Sequence, residues 1–365
     1  MTPYLLVDEA KVRRNIDRLR AHLDAHGTPL RPHVKTAKSV DVARLLFDGG
    51  TGPITVSTLR EAEAFADEGF TDIVYAVGIA PSKLDRVVAL RRRGVDLVVL
   101  LDSVVQARAV AEASTASGIA IPALIEVDCD GHRGGVLPGS PEVTAIAAAL
   151  AGAELRGVLA HAGESYFCYT RDALVKAAEA ERAAAVRVAE DLRAAGFACP
   201  VVSIGSTPTA HAVADLTGVT EVRAGNFVFF DLVMAGIGVC SVDDIALSVV
   251  VTVIGHRPEK GWIMTDGGWM ATSRDRGTSR QPTDQGYGLV APLDGPPFPD
   301  LLMTDASQEH GILSMRPGSD RPLPDLPIGT QVRVLPNHAC ATAAQHDSYR
   351  LAGHAGTTWT RVNGW

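Results

Sequence analysis

The chain has 365 residues, 46% of them hydrophobic and 21% charged, and a net charge of −8. That composition excludes a disordered chain, and the length suits one large domain plus a smaller one. The acidic balance, with no Lys/Arg run beyond Arg91-Arg92-Arg93, argues against a nucleic-acid surface. Cations in such a triplet suit the carboxyl end of a helix. The longest apolar stretch, 245–255, contains Ser248 and Thr252 and is too short to span a bilayer, so no membrane partner is expected. Met1-Thr2-Pro3 passes directly into Tyr4-Leu5-Leu6-Val7, with no basic leader or cleavage site. The five cysteines are scattered and form no CxxC pair, so a cytoplasmic protein without disulfides is expected.

In chain order, residues 4–7 read as a strand, and Asp8 is the N-cap of an amphipathic helix reaching about residue 26. The next strand covers 30–35. It sends Leu30, Pro32 and Val34 to one face and Arg31, His33 and Lys35 to the other. Alone, this stretch suits a solvated edge strand at least as well as a polar face opening into a cavity. A helix over 40–48 follows, then a strand at 53–56. Thr58 with Glu61 three residues on makes a capping box for the next helix. Further strands are expected at 72–77, 95–101, 121–127, 155–161, 201–204 and 219–223, with helical segments or loops between most of them.

Counted from Leu30, these are eight short apolar strands, which implies parallel pairing with covered faces. Eight such units in about 200 residues fit a (β/α)8 TIM barrel. A doubly wound sheet is the alternative, but no GxGxxG turn follows the first strand. Beyond Arg223, helical periodicity gives way to Gly, Pro and β-branched runs at 245–254, 262–266, 331–335 and 357–362. The expected domains are a barrel over 8–230 and a β-rich domain over 231–365, joined by the strand at 1–7.

Function in such a barrel sits at the carboxyl ends of the strands. Lys35 ends the first, Asp128 to Gly135 follow the fifth, and His161-Ala162-Gly163 close the sixth. Gly205-Ser206-Thr207-Pro208-Thr209 and Arg223-Ala224-Gly225-Asn226 follow the seventh and eighth. Gly205 to Thr209 could cradle a phosphate on backbone N–H groups and hydroxyls, although such clusters are also ordinary turns. A lysine and a phosphate loop at one barrel end suggest pyridoxal 5′-phosphate, with Lys35 forming the Schiff base and nearby Arg31 and Arg133 disfavouring its charged form. His161 would stack on or hydrogen-bond the ring, or be a satisfied core histidine. In Pro336-Asn337-His338-Ala339-Cys340, read as extended, His338 and Cys340 point to one side and could share a transition metal. A buried cysteine beside a chance histidine is the other reading.

Taken together these stretches resemble the fold-type III pyridoxal-phosphate enzymes, an alanine-racemase-like barrel with a C-terminal β domain. Within that group the chain resembles the metal-dependent D-serine dehydratases and D-threonine aldolases. The resemblance is carried by Arg31-Pro32-His33-Val34-Lys35-Thr36, Val56-Ser57-Thr58, Asp130-Gly131-His132-Arg133, His161-Ala162-Gly163 and Gly205 to Thr209. It continues through Glu221 to Gly225, Phe229-Phe230-Asp231-Leu232, Ser273 to Gly277, Gln308 to Gly311 and Pro336 to Cys340.

The resemblance implies Lys35, not Lys38, as the Schiff-base lysine and catalytic base. It puts the phosphate on Gly205, Ser206 and Thr207 and the metal, zinc or manganese or cobalt, on His338 and Cys340. Arg223 falls where racemases of this fold hold the pyridine nitrogen. Arg133, His161, Tyr166, Gly225 and Asn226 complete the expected cofactor-binding set. In the stretch His161-Ala162-Gly163-Glu164-Ser165-Tyr166, Glu164 departs from the group's pattern. The implied reaction is dehydration of a small D-3-hydroxy amino acid to a 2-oxo acid and ammonia, from D-threo-3-hydroxyaspartate to oxaloacetate or D-serine to pyruvate. The group's aldolases tend to have Asp where this chain has Cys340. Aldol cleavage to glycine and an aldehyde is the alternative; racemisation and non-catalytic cofactor carriage rank below it. Arg31, Arg274 and Arg276 are candidates for a substrate carboxylate. A homodimer is implied by the resemblance alone.

Overall fold

The computed structural model describes residues 1–365, which divide into two units. One comprises residues 17–225 with 362–365, the other residues 1–16 with 226–361. No helix is long and apolar enough to cross a membrane.

Strand β1 is Tyr4–Val7. The strands of the first unit are β2 (Leu30–Pro32), β3 (Ile54–Val56), β4 (Asp72–Gly78), β5 (Asp96–Leu101), β6 (Pro122–Val127), β7 (Glu154–Ala160), β8 (Val201–Ile204) and β9 (Glu221–Ala224). They pair in parallel in the order β2-β9-β8-β7-β6-β5-β4-β3. A bridge between His33 and Thr55, with the Val34 N–H donating to Thr55 O at 2.9 Å, joins the two ends. The expected eight-stranded parallel barrel therefore forms, and the open doubly wound sheet does not. Local signals fix its helices: the hydroxyls of Thr58, Ser103 and Thr170 accept the N–H three residues on, at the starts of Leu59–Asp67, Val104–Ser117 and Arg171–Ala194. Val74, Val98, Leu100, Leu124 and Leu159 form one of its apolar clusters.

The first barrel strand is shorter than the sequence suggests. It stops at Pro32, and the chain turns so that the Lys38 N–H reaches Val34 O at 2.7 Å, with Lys38 in the left-handed region at φ 47°. Lys35 thus stands on a turn at the strand's carboxyl end rather than in the strand. The polar face expected of residues 30–35 is split accordingly. Arg31 is locked by Glu221 at 2.7 Å and Asp72 at 2.7 Å, and so is withdrawn from any role toward a substrate carboxylate.

The second unit holds β10 (Leu247–Arg257), β11 (Trp262–Thr265), β12 (Gly288–Pro292), β13 (Leu301–Ala306), β14 (Gly311–Met315), β15 (Gln331–Pro336), β16 (Ser348–Leu351) and β17 (His354–Thr360). Following the pairings β10-β11-β14-β13-β12-β15 returns to β10, which closes a six-stranded antiparallel barrel without free edges. β1 extends the sheet from β10, antiparallel to it and parallel to β16.

Candidate active site

The carboxyl ends of the parallel strands gather most of the residues that the sequence singles out. His161, just after β7, is placed by a contact of 3.0 Å between its Nδ1 and Gly205 O. A carbonyl can only accept, so Nδ1 carries the hydrogen, and in the neutral ring Nε2 is the acceptor. Burial, then Lys35, Arg223 and Arg133, push the His161 pKa down to about 3, so the ring is neutral at any ordinary pH. His33 is pushed well below its ordinary range by burial and by the charges of Lys35 and Arg223. These shifts place Lys35, His33, His161 and Arg223 in one electrostatic neighbourhood, whereas Lys38 is taken by buried Glu61 at 3.0 Å.

Arg223 lies on β9 and is only 4% exposed. Its guanidinium donates to Ser203 Oγ and to Ala160 O, each at 2.6 Å. Ser203 Oγ in turn donates to Glu221 at 2.6 Å, and Glu221 holds Arg31. Burial lowers the Arg223 pKa to about 10 against the pull of Glu221 and Glu181. A cation this desolvated, fixed by a chain of hydrogen bonds from one barrel strand to the next, is built for orientation rather than for proton transfer.

The loop after β8 differs from an open cradle of amides. The Gly205 N–H is taken by Glu181 and the Ser206 N–H by Thr209 Oγ1. Ser206 Oγ caps the helix Thr207–Ala212 through the Thr209 N–H and touches Ser165 Oγ at 2.9 Å. Thr207 is the exception: its hydroxyl is buried without a partner. A buried hydroxyl left over at a helix start is costly unless something polar binds it, and a phosphate oxygen fits that requirement. Gly205 (φ 133°) has no room for a side chain, since a Cβ would lie 2.1 Å from Arg223 O. Gly225 is similarly confined, with His33 O at 2.7 Å. These features fit pyridoxal phosphate. Tyr166 is half-buried on the short helix Gly163–Phe167. Arg133 is exposed and pairs with Glu126 at 3.3 Å, and Glu164 pairs with His132 at 2.7 Å.

In the second unit, the sequence-based geometry of His338 and Cys340 needs correcting. β15 ends at Pro336, and His338 opens the short helix Ala339–Ala343, so Cys340 sits in a helical turn and not in an extended strand. The reason is remote: the carboxylate of buried Asp231 accepts from the Ala339 N–H at 2.9 Å and caps that helix. The two side chains nevertheless interact. Burial opposes a charge on His338, but Cys340, Asp275 and Asp231 together raise its pKa well above the ordinary range. His338 Nδ1 donates to Asp275 Oδ2 at 2.6 Å and the ring also hydrogen-bonds Cys340, so a metal would take the place of the proton between ring and sulfur. No cluster of three His, Cys, Asp or Glu side chains assembles a ready metal cage. A soft thiolate beside an oriented imidazole still fits a transition metal completed by water or substrate. Asn226 donates to Asp231 within the same unit. Arg276 is paired with Asp284, whereas Arg274 lies exposed and stacked on Trp269.

Sequence reasoning missed Glu181, Ser203 and the separate parts played by Asp231 and Asp275. Glu181 had a signal. In the helix Arg171–Ala194 the buried positions Leu174, Ala178, Glu181, Ala185, Val188 and Leu192 are spaced alternately by four and three, and Glu181 takes a place on that apolar stripe.

Comparison with known proteins agrees with this architecture. The profile of the alanine racemase N-terminal domain matches residues 7–233, and that of a serine dehydratase domain matches residues 246–352. D-threo-3-hydroxyaspartate dehydratase of Delftia sp. (strain HT23) is 52% identical over 371 residues, covering 100% of this chain and 98% of that protein. Its structure superposes with a TM-score of 0.97 over 100% of this chain and 98% of that one. A cysteine-to-alanine variant of D-threo-3-hydroxyaspartate dehydratase in the metal-free form superposes equally well. D-threonine aldolase of Arthrobacter sp. is 28% identical over 361 residues, covering 95% of this chain and 87% of that protein. The chain belongs to the alanine-racemase-fold family of fold-type III lyases, in which an alanine racemase N-terminal barrel is followed by a serine dehydratase domain.

Proposed function

We propose that the chain is a pyridoxal-phosphate- and metal-dependent dehydratase that converts D-threo-3-hydroxyaspartate to oxaloacetate and ammonia, with D-serine as a second substrate. The observation that carries this reading is 52% identity along the whole chain to a dehydratase of that substrate, against 28% to an aldolase.

In this reading the segment 8–230 holds the cofactor, and 231–365 with 1–7 holds the metal, best zinc, with manganese or cobalt as alternatives. When bound, the cofactor supplies an electron sink and the metal a Lewis acid for the departing β-hydroxyl. Lys35 Nζ anchors the cofactor and takes the α-proton. Thr207, with Gly205 and Ser206, receives the phosphate. Arg223 and His161 orient the ring, flanked by Arg133, Tyr166, Gly225 and Asn226. Neutral His161 would add no competing positive charge beside the cofactor. His338 and Cys340 hold the metal. A cytoplasmic homodimer belongs to the same reading.

The deciding experiment loads the protein with cofactor and zinc and offers it D-threo-3-hydroxyaspartate, D-serine and D-threonine. Oxaloacetate or pyruvate with equimolar ammonia is expected; glycine plus an aldehyde would establish the aldolase instead.

A further inference from the structure

We propose that Glu181 is a positioning residue that fixes the phosphate loop and His161 from behind, without touching substrate or cofactor. This rests on the cofactor assignment above. Glu181 is 1% exposed, a carboxylate on the apolar stripe of the helix Arg171–Ala194. One of its oxygens, Oε1, accepts two backbone N–H bonds, from Ala162 and from Gly205, both at 2.9 Å. Those amides belong to different loops: Ala162 follows His161 after β7, and Gly205 begins the loop after β8. The Gly205 peptide is thereby held at both ends, its N–H by Glu181 and its carbonyl by His161 Nδ1.

The consequence is geometric. Withdrawing the carboxylate frees Gly205 to rotate, and that rotation moves the carbonyl on which the orientation of His161 depends. It also shifts Ser206 and Thr207, the next residues in the chain. Besides the His161–Gly205 contact, Ser165 Oγ to Ser206 Oγ at 2.9 Å also ties these loops. Around Glu181 the apolar lining is Ala178, Ile204, Ala210, Val213, Leu216 and Val222, with the Thr209 hydroxyl as a further polar neighbour. Because both bonds end on a single oxygen, a glutamine carbonyl can replace it, whereas a leucine cannot accept and an aspartate falls one methylene short of reaching both amides.

The test compares wild type with Glu181→Gln, Glu181→Asp and Glu181→Leu, and measures the affinity of the apoprotein for pyridoxal phosphate and for pyridoxal, which lacks the phosphate. Glu181→Gln should bind pyridoxal phosphate within about threefold of wild type, and Glu181→Leu at least about tenfold more weakly, with a smaller loss for pyridoxal, which feels only the shift of His161. Equal pyridoxal phosphate affinity in Glu181→Leu, or a parallel loss for both ligands, overturns the proposal. If Glu181→Leu does not fold, Glu181→Asp decides: a selective loss supports the role, and wild-type behaviour overturns it. A wild-type protein that binds no pyridoxal phosphate refutes the cofactor assignment instead.

Discussion

Removing the Asp275 carboxylate should weaken the metal site although Asp275 need not touch the metal. Asp275 Oδ2 accepts from His338 Nδ1 at 2.6 Å, and Asp275 is itself placed by its N–H on Ser273 Oγ at 3.0 Å. The bond does two things: when the ring gives up a proton to bind metal, it keeps the remaining one on Nδ1 and frees Nε2, and it restrains the ring from turning. In Asp275→Ala the ring is free to rotate and the wrong tautomer is populated. Loss of such an outer partner costs roughly 10–100-fold in metal affinity, or about 1.4–2.7 kcal/mol. Asp275→Asn keeps an acceptor but loses the charge, so it should fall between wild type and Asp275→Ala. The assay is calorimetric titration of metal-stripped protein with zinc, with cofactor content followed in parallel by visible absorbance. Cofactor content should not change, because the barrel residues that hold it are untouched. Zinc affinity in Asp275→Ala within about twofold of wild type would refute the reasoning.

Lys35→Ala should lose the visible band of the bound cofactor, whereas Lys38→Met should keep it and instead lose about 1–3 kcal/mol of stability in denaturant unfolding, because buried Glu61 is left with only its bonds from Ser57 and Thr58. Survival of the band in Lys35→Ala would move the anchor elsewhere. Gly205→Ala sets a Cβ 2.1 Å from Arg223 O at φ 133°, so the loop must move and pyridoxal phosphate affinity should drop at least about tenfold by equilibrium dialysis. Burial pushes the His211 pKa down to about 4. As pH falls from the ordinary histidine range toward that value, the unfolded chain binds a proton that the folded ring refuses, so stability falls with pH. The loss is about 2 kcal/mol by about pH 5. His211→Gln should show a correspondingly flatter pH profile of unfolding free energy, and parallel profiles would contradict the shift.

Much of the barrel could be read from the sequence because its signals are local. Short apolar runs give the strands, and Thr58, Ser103 and Thr170 mark helix starts through bonds spanning only three residues. Lys35 stands out by its place at a strand end even though the strand proper stops at Pro32. Distant contacts were harder to read. The pair His338 and Cys340 stands out by residue type, but its backbone reads as extended because the helix there is capped by Asp231, 108 residues away. Strands β12, β13 and β14 were passed over for a related reason. Each has only five or six residues, and pairing within the closed six-stranded barrel supplies the support that their own sequence lacks.

Glu181 shows that a remote contact can still leave a local trace. Its two amide partners lie 19 and 24 residues away and could not be foreseen, but a carboxylate on an apolar stripe is itself a conflict of pattern. A buried carboxylate without donors is expensive enough that such a position must bring donors with it. Here they come from the loops after β7 and β8, through Ala162 and Gly205. The same physics accounts for Asp231, which is 1% exposed and spends its oxygens on the amides of Met234 and Ala339 and on Asn226. In each unit, then, a buried carboxylate fixes the backbone that presents the reactive side chains.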